Sequence, residues 1–123
     1  MKKKSSYPKP SLFAQFFIRL QQVFFSGSQD YWKKRYLLGG NSGKGSYGEN
    51  AEFKSRVLNK FVRENNVRSV TEFGCGDGNQ LTYSDYPKYT GLDISEQAVK
   101  LSSAMFDRDS SKIFLFMIPM RLK

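Results

Sequence analysis

The chain contains no histidine and a single cysteine, Cys75. One thiol excludes an internal disulfide. The missing imidazole excludes a Cys/His metal site and any mechanism that uses a histidine base. Catalysis by such a chain has to rest on positioning and on carboxylates, amides and hydroxyls. Long apolar runs are lacking too, since a transmembrane helix needs ~20 such residues in succession. The segment LFAQFFIRLQQVFF, residues 12–25, is interrupted by Gln15, Arg19, Gln21 and Gln22. With Lys2, Lys3 and Lys4 ahead of it, this segment imitates a secretory signal. No small-x-small cleavage site follows, so the reading is a cytoplasmic protein. Acidic residues are scarce in one half only. Residues 1–66 hold 13 Lys/Arg against Asp30, Glu49, Glu52 and Glu64, whereas residues 67–123 hold seven of each sign, so the whole net charge of +9 lies in the first half. A basic half attracts anionic surfaces such as nucleic acid or lipid head groups, or simply forms a solvated face.

What is present is enough for one domain. With 39% hydrophobic and 15% aromatic residues in 123, the composition is that of a folded chain. Two parts are expected. Residues 1–47 form a basic arm, an amphipathic segment and a glycine-rich loop, and residues 48–123 form the domain proper. In the arm, Phe13, Phe16, Phe17, Leu20 and Phe24 recur at helical spacing, which predicts a packing helix or, alternatively, one lying on a membrane surface. Residues 29–38 predict a short helix anchored by Tyr31, Trp32 and Tyr36. GGNSGKGSYGEN, residues 39–50, has five glycines in twelve but not the order of a phosphate-binding P-loop: Leu38 stands where the first glycine belongs, and Gly45 follows Lys44. Ser46 and Glu49 have capping-box spacing. Phe53, Val57, Leu58, Phe61 and Val62 then predict an amphipathic helix over residues 50–64, packed through that stripe. Beyond it the pattern becomes strand (67–73), helical turn (79–84), strand (89–93), helix (95–106) capped by Ser95 with Ala98, Leu101 and Met105 on one face, and a buried strand (113–118) stopped by Pro119. Alternating strands and helices predict an α/β fold, a Rossmann-like parallel sheet with right-handed crossovers and helices on both faces, its strands in the order 3-2-1.

Between the first strand and the turn lies TEFGCGDGN, residues 71–79. Gly74 can turn the chain sharply, and Gly76 and Gly78 let backbone amides approach a ligand. The spacing is G-x-G-x-G, not the G-x-G-x-x-G of dinucleotide binders, and Glu72 ahead of it would repel a pyrophosphate while suiting an ammonium. Asp93 ends the second strand, where a carboxylate accepts bonds from both hydroxyls of a ribose. An amino group and an unphosphorylated ribose occur together in S-adenosylmethionine. Cys75 has no histidine to activate it, so a nucleophilic role is set aside.

Glu72–Gly78 followed by Gly91-Leu92-Asp93-Ile94-Ser95 resembles the class I S-adenosylmethionine-dependent methyltransferases over roughly residues 48–118. The resemblance implies a transferase that passes a methyl group from S-adenosylmethionine to an acceptor. It implies that Glu72, Phe73, Gly74, Cys75, Gly76, Asp77, Gly78 and Asn79 surround the methionine end of the cofactor. Asp93 would hold the ribose, and Ile94 would pack on the adenine. The glycine-rich segment is similar to a lid of some bacterial members, which would bring Ser46 and Tyr47 near the cofactor. No metal and no particular catalytic residue is implied. No proline-proline-aromatic acceptor motif of nucleic-acid methyltransferases occurs, so a small-molecule or glycan acceptor is favoured. Members ordinarily continue with a fourth strand beside the first, and the tail MIPMRLK does not read as its start. The expectation is a shortened chain that is active through self-association at an open sheet edge, or else a non-catalytic subunit or remnant.

Overall fold

The computed structural model describes Ser11, Leu12, Gln15 and residues 27–118. The expectations for the basic arm, for most of the aromatic segment and for the stop at Pro119 lie outside the described residues. Three helices and three strands follow in order: α1 (Ser28–Leu37), α2 (Gly48–Glu64), β1 (Val70–Phe73), β2 (Tyr89–Asp93), α3 (Glu96–Met105) and β3 (Lys112–Phe116). Two 3-10 turns, Lys44–Ser46 and Gln80–Tyr83, complete the described elements.

The strands form one parallel sheet in the order β1-β2-β3, the expected 3-2-1 read from the other edge. Both crossovers step in the same direction across the sheet. Because such crossovers are right-handed, both connecting segments are delivered to the same face. The register makes this visible. Val70, Glu72, Tyr89, Gly91, Asp93, Lys112, Phe114 and Phe116 share one face; Thr71, Phe73, Thr90, Leu92, Ile113 and Leu115 share the other. On the first face α3 packs over β2 and β3, and α1 packs against α3. Helices were expected on both faces. Among the described residues they occupy this one, and Phe73, Ile113 and Leu115 on the other remain 72%, 54% and 48% exposed.

The core under the helices is a file of aromatic rings. Tyr86, Tyr89, Phe114 and Phe106 follow one another with centroids 5.8 Å apart at each step, an arrangement favoured over area burial alone. Cys75 and Leu81 close it, and Val70 packs against it. Gly91 sits where this core touches the glycine loop: a Cβ there would lie 2.8 Å from Cys75 Cβ, so only hydrogen fits. Ser95 caps α3 as expected, its hydroxyl accepting from Ala98 N at 3.3 Å.

Three local expectations are corrected. The apolar stripe of α2 does not face the core. The helix rests instead on Gly48, Ala51, Ser55, Asn59 and Val62, and Phe53, Val57, Leu58 and Phe61 are exposed. Hydrogen bonds decide this orientation: Gln80 Nε2 donates to Ala51 O and Ser55 Oγ, Asn59 Nδ2 donates to Tyr83 O, and Asp85 N donates to Asn59 Oδ1. These bonds fix the polar face of α2 on the 3-10 turn, and nothing described covers its other side. The third strand is not buried throughout, since it forms the far edge of the sheet and Ile113, Leu115 and Phe116 are open. The capping box is also absent, because α2 starts at Gly48 behind Tyr47 with no side-chain cap.

Candidate functional site

Parallel strands place ligands beyond their carboxyl ends, where connecting loops diverge. A cleft of about 440 Å³ occupies that position here. Its floor is the loop from TEFGCGDGN, in which Gly74, Gly76 and Gly78 all have positive φ, 78°, 68° and 88°. L-residues adopt this region at a cost of roughly 1–2 kcal/mol each. Gly76 is further constrained by its neighbour, because a Cβ would stand 2.3 Å from Ser42 Oγ. The glycine therefore leaves room for a second loop to close down on it.

That second loop is residues 39–47. Asp77, 6% exposed, clamps it: its Oδ2 accepts from Ser42 N at 3.0 Å and from the Tyr47 hydroxyl at 2.7 Å, while its Oδ1 accepts from Asn79 N at 3.1 Å. In return Asp77 N donates to Ser42 Oγ at 3.0 Å, and Asn79 Nδ2 donates to Ser46 O at 2.6 Å. The Tyr36 hydroxyl shares a 2.8 Å hydrogen bond with Ser42 Oγ, and Arg35 Nε donates to Asn41 O at 2.6 Å, so α1 holds the same loop from behind. Burial pushes the Tyr36 hydroxyl up to about 12 and raises Tyr47 as well, aided by Asp77. Both phenols stay protonated, and that of Tyr47 donates to Asp77.

Asp93 joins the loop to the end of β2. It is 6% exposed, and its carboxylate accepts from Gly76 N at 2.9 Å and Ser95 N at 2.8 Å. A carboxylate has about four acceptor positions, so two further bonds remain possible. Glu72 stands at the mouth of the loop. The Tyr89 hydroxyl donates to its Oε2 at 2.6 Å, and burial nevertheless raises its pKa against the opposing effects of Tyr89 and Lys54. The nearby Asp93 charge acts in the same direction as burial. Burial pushes the Cys75 thiol up to about 12, which makes it inert as a nucleophile at neutral pH.

The structure brings Glu72, Phe73, Gly74, Cys75, Gly76, Asp93 and Ile94 together on the cleft wall, with Ser46. Asp77, Gly78, Asn79 and Tyr47 do not line it. They sit behind the wall, where Asp77 ties the two loops together. Trp32, Tyr36, Ser42, Gln80 and Met117 line the cleft without having been expected there. The i, i+4 spacing of Trp32 and Tyr36, whose rings stack at 5.9 Å, was a usable signal for an aromatic wall; nothing local marks Gln80. Its Oε1 is a buried acceptor without a hydrogen-bond partner among the described residues, while its Nε2 is fully engaged by α2. A buried acceptor without a donor is costly and points to a ligand donor or water. Among the described residues no group of three or more His, Cys, Asp or Glu side chains could hold a metal ion, and no helix is long and apolar enough to cross a membrane.

Fold and site together define an α/β chain with a cleft at the switch from strands to loops. No protein-family profile and no curated protein matches the chain. Among solved structures it is similar to a Staphylococcus aureus protein provisionally described as a caffeoyl-CoA O-methyltransferase, with 15% sequence identity and a TM-score of 0.49. The match covers 88% of this chain and 52% of that one, so the chain spans about half of that protein's length.

Proposed function

We propose that the cleft binds S-adenosylmethionine and that the chain is a methyltransferase or the cofactor-binding part of one. The observation that carries this reading is the 2.9 Å bond from Gly76 N to Asp93. It supports the reading by tying the glycine loop to the Asp93 carboxylate beside a cleft that Glu72 also lines and whose wall holds no Lys or Arg. The residues fit the cofactor. Glu72 and the unpartnered Gln80 Oε1 supply acceptors for an ammonium, Asp93 has acceptor capacity for two hydroxyls, and Ile94 and Phe73 supply apolar surface. When bound, the cofactor supplies an electrophilic methyl group on a sulfonium. The chain's own contribution is to orient and to exclude water, so the absent imidazole is no obstacle. A small acceptor is favoured, because the aromatic side chains Trp32 and Tyr36 line the same cleft as Asp93. The alternative, a subunit that binds cofactor and transfers nothing without a partner, is supported by the uncovered sheet face.

Titration calorimetry with S-adenosylmethionine tests the reading. Binding that Asp93→Ala weakens by about 10- to 100-fold is expected, from the loss of charge-assisted bonds worth ~1.5–3 kcal/mol. The same variant releases Gly76 N and Ser95 N, so its fold has to be verified by circular dichroism. No binding by folded wild-type protein would sink the proposal.

A further inference from the structure

Glu72 lines the cleft, and Tyr89 does not. Tyr89 nevertheless reaches Glu72 from inside the core. The register sets Val70 opposite Tyr89 and Glu72 opposite Gly91, so Tyr89 and Glu72 are diagonal neighbours on one face of the sheet. The bare position at Gly91 lets the ring cross that diagonal, since a Cβ there would lie 2.9 Å from Tyr89 Cε1. The phenol meets Glu72 Oε2 at 2.6 Å, while the ring is held between Tyr86 and Phe114 with only 2% of the residue exposed. We infer that Tyr89 is a positioning residue for the cleft: its hydroxyl fixes one oxygen of Glu72 and leaves the other to accept from an ammonium on the ligand.

Three observations carry this. The first is that, among the described residues, no hydrogen bond besides that of Tyr89 and no salt bridge reaches the Glu72 carboxylate. A carboxylate has about four acceptor positions, so one bond orients it without filling it. The second is rigidity. A glutamate loses rotamer freedom when it binds a ligand, and a phenol locked in the aromatic file imposes that loss beforehand. The third is which residue serves the other. A core phenol needs only an acceptor, and an uncharged amide would satisfy it. Burial disfavours the Glu72 carboxylate, so a charge kept here answers to the cleft rather than to Tyr89.

The titratable and charged groups that face Glu72 are Tyr89 and Asp93 on β2, Tyr86 ahead of that strand, Cys75 in the glycine loop and Lys54 on α2. Burial, the largest influence, and the Asp93 charge oppose ionisation of Glu72. The Tyr89 hydrogen bond and, less strongly, Lys54 favour it. The Tyr89 phenol stays protonated, because burial and Glu72 both raise it. The ammonium part of the inference rests on the proposed function. The hold of Tyr89 on Glu72 does not, and it is measured without ligand.

Carbon-13 NMR of the Glu72 carboxyl in the ligand-free full chain, assigned by its loss in Glu72→Gln, tests that hold. Tyr89→Phe should move the titration midpoint to higher pH, since the bond it removes favours the charged form. Tyr86→Phe, which alters a neighbouring ring of the file, should leave the midpoint in place. An unmoved midpoint in folded Tyr89→Phe overturns the inference. If that variant does not fold, 3-fluorotyrosine at position 89 takes its place: the more acidic phenol donates more strongly and should lower the midpoint, and an unmoved midpoint again overturns the inference. Titration calorimetry then uses two probes, S-adenosylhomocysteine, which carries the amino group, and adenosine, which lacks it. At neutral pH Tyr89→Phe should weaken the first about tenfold and the second less than about twofold, and the acid limb of the first probe's affinity should move to higher pH. Equal losses for both probes, or an undiminished loss in a Glu72→Gln background, would mean that Tyr89 only supports the fold, and would overturn the inference. Folded wild-type chain that binds neither probe overturns the proposed function and the ammonium role together, and the NMR midpoint still decides whether Tyr89 holds Glu72.

Discussion

The two faces of one three-stranded sheet differ in almost every physical respect. On the helix side Tyr89 is 2% exposed, rings stack through the core, and Glu72 and Asp93 are each bound to specific donors. On the other side no described element makes a layer, and large apolar side chains stand open. The strands are the same, so strand chemistry does not cause the contrast. Connectivity does. Two right-handed crossovers stepping in one direction spend both connections on one face, and the opposite face then depends on something delivered from elsewhere. Because the cleft is lined from both faces, by Glu72 and Asp93 on one and Phe73 on the other, its completeness depends on that delivery too.

The comparison breaks most visibly by truncating a ring on the covered face. Tyr89→Ala removes the middle of the aromatic file and the donor to Glu72 together, and should cost ~3–5 kcal/mol in urea unfolding, the usual range for a large buried aromatic. A loss below ~1 kcal/mol would mean that the covered face is no better packed than the open one.

Several of these features were legible from residues alone. Gly74, Gly76, Gly78 and Asp93 could be placed because they lie next to strand ends, where chain geometry is set within a few residues. Ser95 was readable as a cap for the same reason. The orientation of α2 was not. Periodicity shows that Phe53, Val57 and Phe61 share a side, and is silent on whether anything covers that side. The bonds that fix the helix come from Gln80, Tyr83 and Asp85, 24 to 29 residues away along the chain. The docking of the glycine-rich loop on Asp77 spans 35 residues in the same way. The expectation of a sheet with both faces served read alternation correctly, but alternation does not count how many crossovers reach each face.

A smaller effect sharpens the comparison at the cleft. Burial holds the Glu72 carboxyl above its ordinary value of 4.5, so the folded chain retains a proton that the unfolded chain has already released. Stability contributed by this group therefore falls as pH rises from about 4.5 through the raised pKa, the opposite of a salt-bridged carboxylate. Glu72→Gln does not titrate and can still accept from the Tyr89 hydroxyl. Its unfolding midpoint should exceed that of the wild type at neutral pH and converge with it at acid pH. Affinity for an ammonium-bearing ligand should drop about tenfold in the same variant, a charge-assisted bond being worth ~1.5–3 kcal/mol. A variant less stable than the wild type at neutral pH would show that the carboxylate is stabilised by its surroundings, contrary to the burial argument.

The smallest expected effect lies on the open face. Ile113 is as apolar as anything in the core, yet it is 54% exposed. At protein concentrations where the chain is monomeric, Ile113→Ala should change unfolding free energy by no more than ~0.5 kcal/mol, as at other surface sites. If two copies cover the face, the same substitution should cost progressively more as concentration rises, because a contact absent from the monomer contributes only through mass action. Tyr89→Ala should show no such extra loss. Equal concentration dependence in the two variants would mean that the faces differ in exposure but not in what they bind.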